Sequence, residues 1–189
     1  MEKAPIYFVT GGVRSGKSTF AEKLTRQCSQ DLNRGLVYIA CGRARDEEMA
    51  LRISKHQEQR EQSNVTWQIR EFPTNIEESV KTFDHKPVVL LDCLTTLLDN
   101  ELFSANTEWS QIQASQVYDK ILAGLETIQQ NVSSLVLVSN EVLHEYSHFS
   151  SVQLYQRTLG LLHQEIVQRA EKAYVVESGM PVMMKGPQS

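Results

Sequence analysis

The sequence lacks the features that mark secreted, membrane-spanning and nucleic-acid-binding proteins. Its three cysteines, Cys28, Cys41 and Cys93, have no Cys-x-x-Cys spacing, which indicates reduced thiols and neither a disulfide framework nor a zinc site. No segment approaches the roughly 18 consecutive apolar residues of a membrane span, and the first residues lack the apolar core of a signal peptide. The net charge is −4, with basic residues interspersed among acids and no basic stripe. We therefore expect a cytoplasmic protein that neither spans a membrane nor binds nucleic acid.

No repeat, low-complexity tract or linker divides the chain, so we predict a single domain over residues 1–189. Hydrophobic residues make up 41% of the sequence, enough for a sizeable core. Short apolar runs alternate with longer helical patterns, and this order predicts an α/β fold with a mostly parallel sheet flanked by helices. The predicted strands are Ile6–Thr10, Leu36–Cys41, Trp67–Phe72, Val88–Asp92, Leu135–Ser139, Ala173–Glu177 and, as a short antiparallel edge strand, Val182–Lys185. The predicted helices cover about residues 16–28, 46–61, 75–82, 109–130 and 151–171.

A glycine-rich loop follows the first predicted strand. The pattern G-x-x-x-x-G-K-[S/T] is met by Gly11, Gly16, Lys17 and Ser18, and it opens a predicted helix, which is the context of nucleotide-binding loops. Glycines let the backbone point N–H groups at phosphate oxygens, and the helix N-terminus adds a positive dipole. We expect Lys17 to act in catalysis by reaching the terminal phosphates, and the Ser18 hydroxyl to bind Mg²⁺. The phosphate loop comprises Gly11, Gly12, Val13, Arg14, Ser15, Gly16, Lys17 and Ser18. For Arg14, a phosphate contact and a solvated charge both fit the sequence.

Asp92 stands at the carboxyl end of the apolar strand Val88–Asp92. Ligands of parallel sheets bind beyond the carboxyl ends of the strands, where a Walker-B acid holds Mg²⁺ directly or through water. An aspartate that caps the next helix, near Cys93–Thr95, has the same sequence signature. Because the phosphate loop is present, we predict the metal role for Asp92 and a P-loop NTPase fold.

A histidine lies between two arginines in the helix predicted over residues 46–61. Arg52, His56 and Arg60 are four residues apart, so they form one stripe on that helix. Like charge on both sides lowers the pKa of an imidazole, which is then a neutral nucleophile, while the arginines stabilise a phosphate under attack. A structural histidine at the edge of an apolar helix face fits the same spacing, so spacing alone leaves both interpretations open.

With these pieces in place, the sequence resembles the bifunctional adenosylcobinamide kinase / adenosylcobinamide-phosphate guanylyltransferase family of cobalamin biosynthesis over nearly its whole length. The resemblance rests on two motifs together: T-G-G-x-R-S-G-K-S at Thr10–Ser18, and D-E-E-M followed by R-I-x-x-H-x-x-x-R at Asp46–Arg60. Further matching residues are Tyr38–Ala40, Trp67, Glu71, Leu91–Thr96, Val138–Val142 and Ser178–Pro181.

The resemblance implies a RecA-like type of P-loop fold and two reactions. A kinase step moves the γ-phosphate of ATP or GTP to the aminopropanol hydroxyl of adenosylcobinamide. A guanylyltransferase step sends a histidine against the α-phosphate of GTP, releases pyrophosphate, and passes the GMP to the phosphorylated corrinoid. The family nucleophile falls on His56, and the resemblance further implies a homotrimer with active sites near subunit contacts. The guanine-nucleotide contacts of the family fall on Gly11–Ser18, Ala40, Cys41, Gly42, Gln57, Glu58, Gln59, Arg60, Glu71 and Asp92.

The sequence departs from the family pattern at a few positions. The family usually has Glu where Asp92 stands, commonly a Gly-x-Gly-x-Val-Pro loop in place of Leu143–Phe149, and usually Asp and Asn at Thr158 and His163. Most of these differences concern the expected binding site of the corrinoid acceptor and the kinase reaction, and they lie away from the phosphate loop and His56. Two other functions use the same phosphate loop: a P-loop kinase for another small molecule, and a nucleotide-binding regulatory module without transfer chemistry. A nucleophilic His56 separates the bifunctional enzyme from both.

Overall fold

The computed structural model describes residues 3–42, 66–103, 111–141 and 149–186, which form seven strands, four α-helices and one 3₁₀ helix. The strands are β1 (Ile6–Gly11), β2 (Leu36–Ala40), β3 (Trp67–Glu71), β4 (Val88–Asp92), β5 (Ser134–Asn140), β6 (Lys172–Glu177) and β7 (Met180–Lys185). The helices are α1 (Lys17–Leu32), α2 (Leu94–Phe103), α3 (Gln111–Gln130) and α4 (Ser150–Arg169), with the 3₁₀ helix at Ile76–Thr82.

All seven strands belong to one sheet, in the order β3-β2-β4-β5-β1-β6-β7. Every pair among the first six strands is parallel, and β7 pairs antiparallel with β6. The prediction of a mostly parallel sheet with an antiparallel edge strand is therefore confirmed, although β7 already begins at Met180. Strand β5 lies between β1, which leads into the phosphate loop, and β4, which ends at Asp92.

Helices cover both faces of the sheet, which explains why its central strands are almost continuously apolar. On one face, buried residues of α2, α3 and α4 pack against alternate strand residues such as Val37 and Leu91. On the other face, α1 packs through Ala21 and Phe20 against the opposite set of strand residues, which includes Val138. Since α1 directly follows the phosphate loop, this packing fixes the loop to the centre of the sheet.

The helices differ from the sequence prediction in three respects. Helix α1 runs to Leu32, beyond the predicted end near residue 28, and it stops where Asn33 takes a left-handed conformation. The helix predicted over residues 75–82 is a 3₁₀ helix, and the short α2 was not predicted as a separate helix. The helix predicted over residues 46–61 lies outside the described residues. Among the described helices, none is both long and apolar enough to cross a membrane.

Candidate functional site

The phosphate loop turns sharply between the end of β1 and the start of α1. The amide N–H of Ser15 donates to the carbonyl oxygen of Gly12 at 3.2 Å, and the first helical bond runs from the N–H of Phe20 to Gly16 O at 3.0 Å. Gly16 has φ +91° and Arg14 has φ +61°, so the turn uses left-handed backbone at two positions. A Cβ at Gly11 would lie 2.3 Å from the carbonyl oxygen of Val176, so only glycine fits there without displacement.

The turn between β6 and β7 supports the phosphate loop from one side. The N–H of Gly179 donates to Ser15 O at 2.8 Å. A Cβ at Gly16 would lie 3.2 Å from Gly179 Cα, so the two backbones are in close contact. This contact was not predicted, because residues 15 and 179 come together only through the pairing of β1 with β6.

Lys17 is buried in the phosphate loop, with 9% of its surface exposed, and its Nζ donates to Gly12 O at 3.0 Å. A buried ammonium group needs compensation by an anion or by several hydrogen bonds. The hydroxyl oxygens of Ser15 and Thr10 are also buried, and neither has a hydrogen-bond partner among the described residues. Arg14, in contrast, is exposed, which leaves both interpretations of this residue open. The loop thus gathers a buried cation and two polar groups at the end of β1.

The predicted nucleotide-contact residues lie on one edge of the sheet. Ala40 at the end of β2 pairs with Glu71 at the end of β3 and with Asp92 at the end of β4. In the neighbouring part of the sheet, Gly11 pairs with Asn140 at the end of β5. Because all these strands are parallel, their carboxyl ends form a single edge that runs from Glu71 to the phosphate loop.

Asp92 is half-buried at this edge, and its carboxylate is oriented by a neighbouring strand. The hydroxyl of Tyr38 donates to Asp92 Oδ2 at 3.0 Å, and the N–H of Cys41 donates to Asp92 O at 3.0 Å. The peptide bond between Asp92 and Cys93 is cis. Helix α2 begins at Leu94, so helix capping and metal binding both remain compatible with Asp92.

Cys41 and Gly42 follow directly after β2, and both are buried. The carbonyl oxygen of Cys41 accepts a hydrogen bond from Asn100 Nδ2 at 2.8 Å. Burial raises the pKa of the Cys41 thiol well above its usual range, so the group is a neutral thiol inside the core. A ligand in this segment must therefore contact backbone atoms of Cys41 or Gly42.

A polar cluster that the sequence did not predict connects β5 to α2. Asn140 Nδ2 donates to Thr95 Oγ1 at 3.1 Å, and the hydroxyl of Tyr155 donates to Thr95 O at 3.2 Å. Cys93 Sγ lies 3.0 Å from Thr95 Oγ1, and burial raises the pKa of this thiol. The cluster fixes the segment after Asp92 relative to the end of β5. Asn140 and Tyr155 lie 45 and 60 positions from Thr95 in sequence, and no local pattern connects them to it.

His163 on α4 packs under the same edge of the sheet. Its Nε2 lies 2.8 Å from Ser139 Oγ, and its ring makes an edge contact with Phe8 at a centroid distance of 5.1 Å. Burial lowers the pKa of His163 to about 4, so the imidazole is neutral near pH 7. Thr158, five residues earlier on α4, is buried and donates to Leu154 O at 2.8 Å. The side chains of His163 and Thr158 are therefore both held by contacts inside the protein.

Several predicted site residues lie outside the described part of the chain: Arg52, His56, Gln57, Glu58, Gln59 and Arg60. Of the predicted metal ligands, Ser18 lies at the start of α1 and Asp92 at the end of β4. Among the described residues, no group of three or more His, Cys, Asp or Glu side chains could hold a metal ion.

Comparison with known proteins identifies relatives over nearly the whole chain. The model of a family described as cobinamide kinase / cobinamide phosphate guanyltransferase matches residues 7–184. The chain is 32% identical over 185 residues to the bifunctional adenosylcobalamin biosynthesis protein CobU of Escherichia coli, covering 94% of this chain and 98% of that protein. It is 30% identical over 185 residues to the bifunctional adenosylcobalamin biosynthesis protein CobP of Pseudomonas aeruginosa, covering 94% of this chain and 96% of that protein.

Solved structures with a similar fold have little sequence identity to the chain. A KaiC-like protein from Pyrococcus horikoshii superposes with a TM-score of 0.53 at 14% identity, covering 100% of this chain and 82% of that one. The flagellar accessory protein FlaH from Methanocaldococcus jannaschii gives a TM-score of 0.51 at 10% identity, covering 98% of this chain and 80% of that one. Both have the RecA-like P-loop fold, so the predicted fold class is confirmed.

Proposed function

The chain belongs to the cobinamide kinase / cobinamide phosphate guanyltransferase family, and we propose that it carries out both reactions at the carboxyl edge of its sheet. The first is transfer of the γ-phosphate of ATP or GTP to the hydroxyl of adenosylcobinamide. The second is transfer of GMP from GTP to the resulting adenosylcobinamide phosphate. The observation that carries the proposal is the phosphate loop, with Lys17 buried inside it and Asp92 two strands away on the same edge.

The phosphate loop positions the triphosphate in both reactions. Its backbone N–H groups at the start of α1 and the Lys17 ammonium group offset the charge of the phosphate oxygens. As the γ-phosphoryl group leaves, negative charge develops on the phosphate oxygens, and the buried Lys17 ammonium group stabilises it. The catalytic role of Lys17 is electrostatic, because phosphoryl transfer needs positioning and charge more than covalent chemistry.

The donor groups at this edge fit Mg²⁺. The Ser18 hydroxyl and the Asp92 carboxylate are oxygen ligands of the kind that a small divalent cation prefers. Tyr38 holds the carboxylate through its Oδ2 and so orients it. A Mg²⁺ held by Ser18 and Asp92 would supply Lewis-acid stabilisation of the phosphate charge.

Guanylyl transfer runs through a covalent GMP–histidine. A neutral nitrogen of His56 attacks the α-phosphorus of GTP, the P–O bond to the β-phosphate breaks, and pyrophosphate leaves. A phosphate oxygen of adenosylcobinamide phosphate then attacks the same phosphorus, the P–N bond breaks, and His56 is regenerated. Two successive displacements allow one phosphate loop to serve attack at two different phosphates. His56 and its flanking Arg52 and Arg60 lie outside the described residues, and their roles rest on the sequence motif.

The guanine nucleotide in this step extends from the phosphate loop to the part of the sheet edge beyond Asp92. We assign this contact to the phosphate loop, Ala40–Gly42, Gln57–Arg60, Glu71 and Asp92. The register that aligns Glu71, Ala40 and Asp92 supports the assignment, because it places the three residues side by side. Glu71 is exposed at its strand end, where a carboxylate can accept hydrogen bonds from a base or ribose.

The test is product analysis of the purified protein with adenosylcobinamide, Mg²⁺ and either ATP or GTP. Mass spectrometry of the corrinoid should find the phosphate with ATP and the GDP derivative with GTP, together with pyrophosphate. Lys17→Ala should abolish both products. γ-Phosphate transfer to another small molecule, with no corrinoid product, would support the alternative of a different P-loop kinase.

We also propose that the protein is cytoplasmic and forms a homotrimer. The trimer rests on the family resemblance, because single exposed apolar side chains such as Val13 and Phe149 are also normal on a monomer. Light scattering in solution should give three times the chain mass of 21.5 kDa. A single-chain mass at all concentrations would contradict the trimer.

A further inference from the structure

A groove extends from the phosphate loop along α1. Its two walls are the face of α1 that carries Phe20 and Leu24, and the β6–β7 turn with Gly179 and Pro181. Gly16 of the phosphate loop lines its near end, and its volume is about 520 Å³. This volume falls within the roughly 300–1,000 Å³ of small-molecule sites, and the groove is continuous with the site already described.

The groove lies on the opposite side of the phosphate loop from Asp92. In the sheet, β6 and β7 follow β1 on one side, whereas β5 and β4 follow it on the other. Ser18 and Asp92 would hold a Mg²⁺ that offsets the charge of the terminal phosphates, and Asp92 ends β4, so the terminal phosphates would lie on the β4 side of the loop. The nucleoside is attached at the other end of the triphosphate and is therefore directed toward the groove.

Guanylyl transfer places the nucleotide in the opposite direction. Ala40–Gly42 and Glu71 belong to β2 and β3, which lie beyond Asp92 when counted from the phosphate loop. A GTP whose base contacts these residues has its nucleoside far from the groove. The two reactions need different phosphates exposed to attack, and two orientations on one loop satisfy this requirement.

We propose that the groove binds the nucleoside of the phosphate donor in the kinase step, and this inference rests on the proposed function. The half-buried ring of Phe20 offers a surface on which a base stacks, and Pro181 forms the facing apolar wall. The ring of Phe20 is held by an edge contact with Tyr174 at 5.0 Å. A corrinoid macrocycle is too large for this volume, and its hydroxyl must approach the γ-phosphate on the Asp92 side.

Steady-state kinetics with two variants, one from each wall, test the assignment. Phe20→Ala removes the stacking surface and should raise the KM for ATP in adenosylcobinamide phosphorylation by about five- to hundredfold. Pro181→Glu puts a carboxylate on the exposed wall, where it repels the donor, and should raise the same KM at least about tenfold. Because Pro181 is exposed, this variant keeps the test valid if Phe20→Ala does not fold. In Pro181→Glu, which leaves the packing of α1 on the sheet intact, protein labelling from [α-³²P]GTP should match the wild type.

Gln30→Glu is the matched control, because it adds the same charge to an exposed position of α1 that does not line the groove. Its KM for ATP should change less than about twofold, the range of an exposed surface substitution. An unchanged KM for ATP in folded Pro181→Glu would overturn the inference. It would also be overturned by a rise confined to the KM for adenosylcobinamide, or by an equal loss of GMP labelling. If the wild type transfers no phosphate to adenosylcobinamide, the proposed function itself fails, which is a different outcome.

Discussion

Gly11 and Gly12 are adjacent in the phosphate loop, yet the structure gives them different constraints. A Cβ at Gly11 would overlap Val176 O and lie 2.7 Å from Ser15 Oγ, whereas a Cβ at Gly12 would meet nothing within 4 Å. The motif predicted that glycine belongs at position 11, and the reason is the close approach of β6. That reason could not be derived from the sequence, since Val176 is 165 positions away along the chain.

Gly11→Ala should lower the free energy of unfolding by about 1–3 kcal/mol, because the new methyl group has no room. Gly12→Ala should change it by less than about 1 kcal/mol. Urea unfolding of both variants and the wild type measures the difference. Equal stabilities of the two variants would show that Val176 does not constrain the loop.

The neutral state of His163 makes stability depend on pH. Burial lowers its pKa from 6.5 to about 4, so the unfolded chain binds a proton at higher pH than the folded chain does. The stabilisation is complete above pH 6.5 and is lost as the pH falls from 6.5 toward 4. For one proton, the slope is at most about 1.4 kcal/mol per pH unit.

His163→Asn should therefore flatten the fall in unfolding free energy between pH 6.5 and 4.5. Urea denaturation at several pH values, with wild type and variant side by side, gives the difference in slope. The other histidines are common to both proteins and cancel in this comparison. Identical slopes would mean that His163 titrates normally in the folded protein.

At the scale of elements, apolar runs were sufficient to predict every strand of the sheet to within two residues at each end. The central strands β2, β4, β5 and β1 could be predicted because both faces of the sheet are covered there, which makes each of these runs almost continuously apolar. The 3₁₀ helix and α2 were harder to predict: both are short, and their form depends on packing against α3 and the sheet. The position of Asp92 and Glu71 at the carboxyl edge could be predicted, because both lie at the ends of predicted parallel strands. The Asn140–Thr95 contact could not be predicted.

Two helical glycines test the packing of these elements. A Cβ at Gly124 on α3 would lie 2.9 Å from Ile76 of the 3₁₀ helix, whereas a Cβ at Gly160 on α4 would meet nothing within 4 Å. Alanine gains similar helix propensity at both positions, so any difference comes from packing. Thermal or chemical denaturation should find Gly124→Ala less stable than Gly160→Ala by about 1–3 kcal/mol. The packing of α3 on the 3₁₀ helix would be in doubt if the two variants had the same stability.

At the scale of the whole molecule, one phosphate loop lies between two regions for which we propose different roles. Asp92 and Glu71 lie on the β4 side, and the groove along α1 lies on the β6–β7 side. The motifs predicted the first region, because strand-end residues and family matches identify it. The groove could not be predicted, because its walls are residues 16–27 and 179–181, which only the folded sheet brings together.

The central claim is that His56 carries GMP covalently after pyrophosphate leaves GTP and before the GMP passes to adenosylcobinamide phosphate. The most direct measurement is incubation of the wild type and His56→Ala with [α-³²P]GTP and Mg²⁺, followed by counting of acid-labile label on the protein. We expect label on the wild type and none on His56→Ala, while both still phosphorylate adenosylcobinamide from ATP. Label retained by His56→Ala, or its absence from a wild type that makes adenosylcobinamide phosphate, would contradict the account.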